Sequence, residues 1–462
     1  MKKTVIVGSG IAGLMSALVL VEKGHNNITI IEKENELGGL LRKFDYGEYG
    51  IFDYGMHNIL ETGIEDLDTM IYDLLKNDEW HILEKEKRDL AGLFFNGRLQ
   101  LNSPYIDLRF TKNYTEYINS FFTKSLITSK DIDSYKNCSD YLKERYGELI
   151  SNDVVTKVLS KLYKKNISEL DVMSTLITPL DRMILLDANY MDEINKSEVL
   201  RSVLAYPEQR KLNQGLSSGK RALYPKGYGI YRVVDAIIEK LEARGVEFLL
   251  NTKVDTLDVI NSSIEKVTLD NNTHINAKKI IWTGDISALL PLLKSVDRKD
   301  YSFDKKPKTV VVSLLIDKKL KLEDLYYIYC YEESLSTFRV TAYYNYCDAA
   351  KTKDGYLISV DMLIYDEKFS NEMLSEMAIK ELKYMKLLGE DSNVIFSKAE
   401  VLAAGFPMPT VKNMNTYDKI RNEIDSLSIK NLEKIGILSE KNLFFQTDVL
   451  IDLYDKLSIG IN

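Results

Sequence analysis

Gly8, Gly10 and Gly13 punctuate an apolar run, TVIVGSGIAGLMSALVLVEK, and this spacing constrains the fold more than any other feature of the chain. The order predicts a strand over residues 4–7, a glycine turn, a helix over residues 11–23, and a second strand over residues 28–31 that ends at Glu32. In such a βαβ unit Gly8 permits the tight turn, Gly10 lets the backbone approach a pyrophosphate, and Gly13 lets the helix pack closely. The helix N-terminus then faces the phosphates. Glu32 is placed to accept hydrogen bonds from ribose hydroxyls, and an acid there, with no nearby arginine, argues against a 2′-phosphate. The pattern asks for FAD or NAD. Lys2 and Lys3 ahead of an apolar stretch also suit a signal peptide, but the glycines interrupt it, no cleavage site follows, and Ile11 to Val21 is too short to span a bilayer.

Composition excludes several other classes. A chain of 462 residues has room for two or three domains, and 45% hydrophobic with 28% charged residues is an ordinary globular balance. Basic residues number 61 against 69 acidic ones, so the net charge of −8 leaves no electrostatic footprint for nucleic acid. Four histidines and three cysteines (Cys138, Cys330, Cys347), none of them in a Cys-x-x-Cys pair, provide neither a disulfide framework nor a metal site. A reducing, cytoplasmic setting is expected, with no membrane-spanning segment and a small-molecule substrate. A homodimer is compatible with the composition.

After Glu32 come Gly38, Gly39 and Arg42, and then FDYGEYGIFDYGMHNI. A plain Gly-Gly turn before a hairpin is the competing reading, but the extension resembles flavoproteins of the amine oxidase and protoporphyrinogen oxidase superfamily, where this loop runs beneath the flavin. Three later segments resemble the same superfamily in the same order. Tyr224 to Gly229 (YPKGYG) precedes an amphipathic helix, FLLNTKVDTL carries Val254 at the position whose backbone meets the adenine, and IIWTG ends at Gly284. The cofactor implied is FAD.

Within the superfamily the sequence is similar to UDP-galactopyranose mutases. DYGMHNI resembles their Y-G-x-H-I-F segment, which implies His57 beside the flavin. DANY resembles D-N-N-Y, whose tyrosine, here Tyr190, contacts the nucleotide. FRV resembles the strand with a diphosphate-binding arginine, here Arg339, and Tyr454 falls at a second diphosphate contact. The departures are as informative. The mutase Gly-Arg pair is Thr447-Asp448, the tyrosine before Pro407 is Phe406, the second histidine is Leu60, and the Q-W-G tryptophan has no counterpart. A carboxylate in place of a diphosphate ligand repels that substrate. In the oxidase branch the acid at the position of Asp448 accepts a hydrogen bond from the ribityl chain; a helix cap near Val449 is the plainer reading.

The fold class implied is α/β, a Rossmann-like FAD-binding domain interleaved with a substrate domain of helices plus an antiparallel sheet. The FAD domain is expected to collect residues 1–75, 215–300 and 398–462. Residues 76–214 supply helices, and residues 301–397 supply the sheet, with strands over 308–317, 326–331, 338–346 and 356–364. Tyr326, Tyr327, Tyr329, Tyr331, Tyr343, Tyr344 and Tyr346 crowd around Arg339. They read as a sheet surface or as a polar-aromatic wall on which a ligand stacks, and neighbours alternate faces.

No nucleophile elbow, H-E-x-x-H or P-loop is present, so a flavin would carry the reaction. The expected function is an FAD-dependent oxidoreductase acting on a sugar or nucleotide sugar of surface-polysaccharide synthesis, hydride moving to or from flavin N5. The alternative is a redox-neutral mutase-like isomerase that uses reduced N5 as a nucleophile, and a third is a binding subunit that has lost catalysis. His57 and Arg339 are the expected catalytic residues, with Tyr190, Tyr343, Phe406 and Tyr454 at the substrate. His57 would hold or pass a proton. His25, His81 and His274 read as solvated loop or helix-end residues.

Overall fold

The computed structural model describes residues 2–88, 90–124, 134–176, 178–211, 220–293, 301–366, 368–402, 405 and 407–459. The chain forms two compact units. The first gathers Met1–Ile82, Ala222–Ser302 and Asn415–Asn462, and the second gathers Leu83–Arg221 and Phe303–Met414.

The first unit is built on a seven-stranded sheet. Ile28–Ile31, Lys3–Val7 and the end of His274–Trp282 run parallel side by side, with Glu247–Leu249 and Leu432–Lys434 as parallel outer neighbours. The first half of His274–Trp282 turns away to pair antiparallel with Ser263–Leu269, which pairs in turn with Val254–Ile260. Between the first two strands runs the helix Ile11–Glu22, in which every residue from Ala12 to Val21 is buried. A helix apolar all round is what a position enclosed by other elements requires, and it packs on the helices Tyr231–Ala243 and Gln446–Ile459.

The second unit carries another seven-stranded sheet. Its central members Lys308–Ile316, Tyr356–Ile364, Thr337–Ala342 and Tyr327–Cys330 are antiparallel. The sheet departs from the expected purely antiparallel form because Ala91–Phe95 joins Tyr327–Cys330 in parallel and then pairs with Arg98–Gln100. These two strands lie inside residues 76–214, which the helical periodicity further along assigns to helices, so the expected helical segment begins with sheet. At the other edge Val394–Val401 pairs along Lys308–Ile316 and so belongs wholly to this sheet, although the sequence reading places a domain boundary within it. The strand expected over 338–346 stops at Ala342, where Tyr343–Asn345 turn into a 3-10 helix. Helices Tyr114–Lys124, Cys138–Ile150 and Thr156–Tyr163 contribute Phe121, Leu142, Tyr146, Val158 and Leu159 to a core shared with Leu93 and Tyr331 of the sheet region.

Lys161 locks this core. Its buried ammonium donates to the Cys330 carbonyl at 2.5 Å and the Thr337 carbonyl at 2.7 Å, capping two strand ends from a helix. Burial holds its pKa below the usual lysine range. Glu381, also buried, accepts from the Ser336 and Thr337 N–H groups at 2.8 and 2.7 Å.

A candidate flavin site

At Gly8 and Gly13 the glycine turn is closed by contacts that leave no room for side chains. A Cβ on Gly13 would lie 2.0 Å from the Gly8 carbonyl oxygen, so the helix starts directly against the turn. A Cβ on Gly10 would meet nothing within 4 Å. Gly10 caps the helix without any side-chain hydrogen bond, in an ordinary extended conformation at φ −64°. The first-turn N–H groups and the space beside Gly10 thus form a cradle for an anionic group.

Glu32 closes the far side. Its buried carboxylate accepts from the Ser9 N–H at 2.9 Å, the Ser9 hydroxyl at 2.5 Å and the Glu34 N–H at 3.0 Å. A carboxylate has about four acceptor positions, so one remains for a ribose hydroxyl. The Gly38 N–H donates to the Ser9 carbonyl at 2.9 Å, which brings the Gly38-Gly39 loop onto the glycine turn. Arg42 reaches back to the Gly39 carbonyl at 2.9 Å and lies over the Tyr54 ring at 4.8 Å. Thr283, just before Gly284, donates its N–H to the Val7 carbonyl at 3.0 Å and its hydroxyl to the same oxygen at 2.9 Å.

The YPKGYG turn is tied to the His57 segment by a fully buried acid that the sequence reading missed. Asp53 accepts from the Tyr224 hydroxyl at 2.6 Å and the Ile230 N–H at 3.0 Å, and the Gly229 N–H donates to the Tyr224 oxygen at 3.0 Å. Burial pushes the Asp53 carboxyl up to about 7, against the pull of the Tyr224 and Ile230 hydrogen bonds. The available signal was an acid ending the short apolar strand Ile51–Asp53. His57 follows four residues on and is half-buried, as the loop leads into Ile59–Leu60.

The remaining expected residues are more dispersed. Val254 opens its strand opposite Leu269. Asp448 is exposed in the first turn of Gln446–Ile459, inside the helix and not at a cap before Val449. Tyr454, on the same helix, donates to Asp66 at 3.2 Å. His81 lies on the strand Trp80–Leu83, half-buried, and His274 opens the strand His274–Trp282, where it is exposed as expected; His25 lies past a helix end, half-buried.

In the second unit, Tyr190 is 59% exposed on the helix Ala188–Ile194. Arg339 is engaged by Asp361, with Nε to Oδ2 at 2.7 Å and a second nitrogen at 2.6 Å, a pairing the sequence reading had not foreseen. Burial opposes the guanidinium's charge, but Asp361 and the Tyr329 and Tyr343 rings keep its pKa above the ordinary arginine value. Tyr343 is fully buried, its hydroxyl 3.0 Å from Ser359 Oγ. Phe406 lies outside the described residues. Among the crowded tyrosines, Tyr327, Tyr329 and Tyr331 form one row with ring centroids 5.4 and 5.9 Å apart. Tyr326 and Tyr346 pair separately. Among the described residues no group of ligating side chains could hold a metal, and no helix is long and apolar enough to cross a membrane.

A parallel sheet core with a glycine turn, an acid just past the second strand's end and a helix N-terminus left uncapped by side chains defines a dinucleotide-binding fold. The sequence profile of the flavin containing amine oxidoreductases matches residues 11–397, and the chain belongs to that family. Its cofactor is FAD, and the open space at Gly10 and the free acceptor position on Glu32 fit that group. The chain is 26% identical over 279 residues to 1-hydroxycarotenoid 3,4-desaturase of Flavobacterium sp. (strain P99-3), a match covering 59% of this chain and 55% of that protein. It is 22% identical over 380 residues to polyenoic fatty acid isomerase of Ptilota filicina, covering 78% of this chain and 67% of that one. The chain thus spans little more than half of the desaturase and about two thirds of the isomerase. Reduced UDP-galactopyranose mutase shares the fold over 100% of this chain and 97% of its own, with a TM-score of 0.75 and 16% identity.

Proposed function

We propose an FAD-dependent oxidoreductase whose substrate is an uncharged organic molecule, a hydride passing between a substrate carbon and the flavin. The observation that carries this reading is the Arg339–Asp361 pair. The arginine expected to hold a diphosphate has its charge offset by a carboxylate 2.6 Å away, and a dianion brought to it would meet Asp361 as well. The likeness to a hydroxycarotenoid desaturase supports an uncharged, largely apolar substrate, and the likeness to a polyenoic fatty acid isomerase supports its apolar character but not its lack of charge.

When bound, FAD supplies the acceptor or donor of the hydride. The chain's own residues would do the rest. The helix turn at Gly10 would hold the pyrophosphate and Glu32 would orient the ribose, with the Gly38-Gly39 loop, itself bonded by Arg42, lying against that turn. His57 would hold or pass the proton that accompanies the hydride.

A sugar or nucleotide sugar of surface-polysaccharide synthesis is the second reading, with its redox-neutral mutase-like form, and the whole-chain fold likeness to the mutase favours it. Anaerobic mixing separates the two. Bleaching of the flavin band by an uncharged alcohol or polyene such as all-trans-retinol, with no response to UDP-galactopyranose, supports the first. Ring-size isomers of UDP-galactose, formed by dithionite-reduced protein without flavin reoxidation, would establish the second in its place.

A further inference from the structure

Asp361 and Tyr329 stand opposite Arg339 on its two neighbouring strands, so the three side chains share one face of the second unit's sheet. They differ in access. The Arg339 side chain is 21% exposed and that of Asp361 7%, while Tyr329 is half-buried. A molecule arriving at this face can touch the guanidinium and the tyrosine ring, and the largely covered carboxylate acts on it through its charge.

Nε and a second nitrogen of Arg339 both converge on Asp361 Oδ2. A carboxylate this close offsets the cation, and the offset is strong because neither charge is fully hydrated. The next charges on the same face, Lys398 and Glu400 of the edge strand, pair with each other at 3.2 Å and add no net charge. The sign that this face presents to a ligand is therefore set by Asp361. With the carboxylate the face is neutral, and without it Arg339 makes the face cationic.

We propose that Asp361 is a specificity-determining residue that acts through Arg339 to exclude anionic ligands from this face and reserve it for uncharged ones. This rests on the reading of an uncharged substrate and names the residue that enforces it. UDP and uridine, which differ by the diphosphate, are the probes. They are titrated by calorimetry into the FAD-loaded wild type, Asp361→Asn and Asp361→Asn/Arg339→Gln. Loading with FAD fills the cradle at Gly10, so a response to UDP reports another surface. Asparagine keeps the shape and an acceptor for Arg339 and removes the charge. In the wild type UDP is expected to bind no more tightly than uridine. In Asp361→Asn the affinity for UDP should rise by about tenfold or more with that for uridine unchanged, and added salt should erode the gain. The double variant should lose it. Wild-type binding of UDP tenfold tighter than that of uridine overturns the proposal, and this arm needs no variant to fold. Equal affinity for UDP in Asp361→Asn and the wild type, or a gain that survives the loss of Arg339, overturns it as well. The redox reading is judged separately, by the flavin band of the wild type under all-trans-retinol. Bleaching with no gain for UDP in Asp361→Asn keeps the oxidoreductase and removes the selector, while a gain with no bleaching keeps the selector and counts against the oxidoreductase.

Discussion

Asp53 is the residue whose ionisation should be visible in the stability of the whole protein. Its folded pKa of about 7 lies above the unfolded carboxylate value near 4, so the folded state binds the proton more tightly. The resulting stability is fully present below pH 4 and is lost as pH rises through about 7, a swing of up to about 4 kcal/mol. Asp53→Asn keeps an acceptor for the Ile230 N–H and removes the charge. Urea midpoints between pH 4 and 8 should fall more steeply with pH in the wild type than in the variant; parallel profiles would show that Asp53 does not titrate in this range. The two central glycines make a second contrast. Gly13→Ala drives a Cβ into the Gly8 carbonyl and should lower the melting temperature of the apoprotein by several degrees. Gly10→Val projects into open space and should leave apoprotein stability nearly unchanged while abolishing the flavin absorbance that co-purifies.

Between elements, the Lys161 contact shows how a helix and a sheet are registered by one charged group. Lys161→Met retains the apolar stem but leaves the Cys330 and Thr337 carbonyls without that donor, at a cost of roughly 2–4 kcal/mol. Chemical denaturation of the variant tests this, and a cost within 0.5 kcal/mol or so, typical of a surface site, would contradict it. Lys161 also illustrates why some element-level features escape a linear reading. The helix Thr156–Tyr163 is legible from its periodicity, whereas the identity of the strand ends it touches depends on residues some 170 positions later. The same holds for Ala91–Phe95. Its apolar residues are compatible with a buried helix or strand, and only its parallel neighbour Tyr327–Cys330 decides between them.

For the molecule as a whole, FAD should act as a stabiliser because it binds the folded chain and not the unfolded one. Saturation at about a thousand times Kd adds about 4 kcal/mol, so stripping the cofactor should lower the melting temperature and restoring FAD should recover it. Calorimetry with and without added FAD measures this, and a melting temperature indifferent to FAD would count against the site.

The nucleotide-binding half was written in the sequence because its determinants are local. Gly8, Gly10, Gly13 and Glu32 lie within one βαβ unit, and at Gly8 and Gly13 glycine answers a steric demand that any side chain would violate, while Gly10 keeps open the space beside the helix N-terminus. The family resemblance carried the flavin motifs from Gly38 to Gly284 for the same reason, since each is a short run with its own turn chemistry. The substrate side was not legible in this way. Arg339 reads as an anion ligand until Asp361 is found opposite it, and Asp361 is an isolated acid in an apolar strand until sheet register sets it on one face with Arg339. Register and pairing join residues far apart in the chain. Charge neutralisation is a property of such pairs, which only the tertiary structure decides.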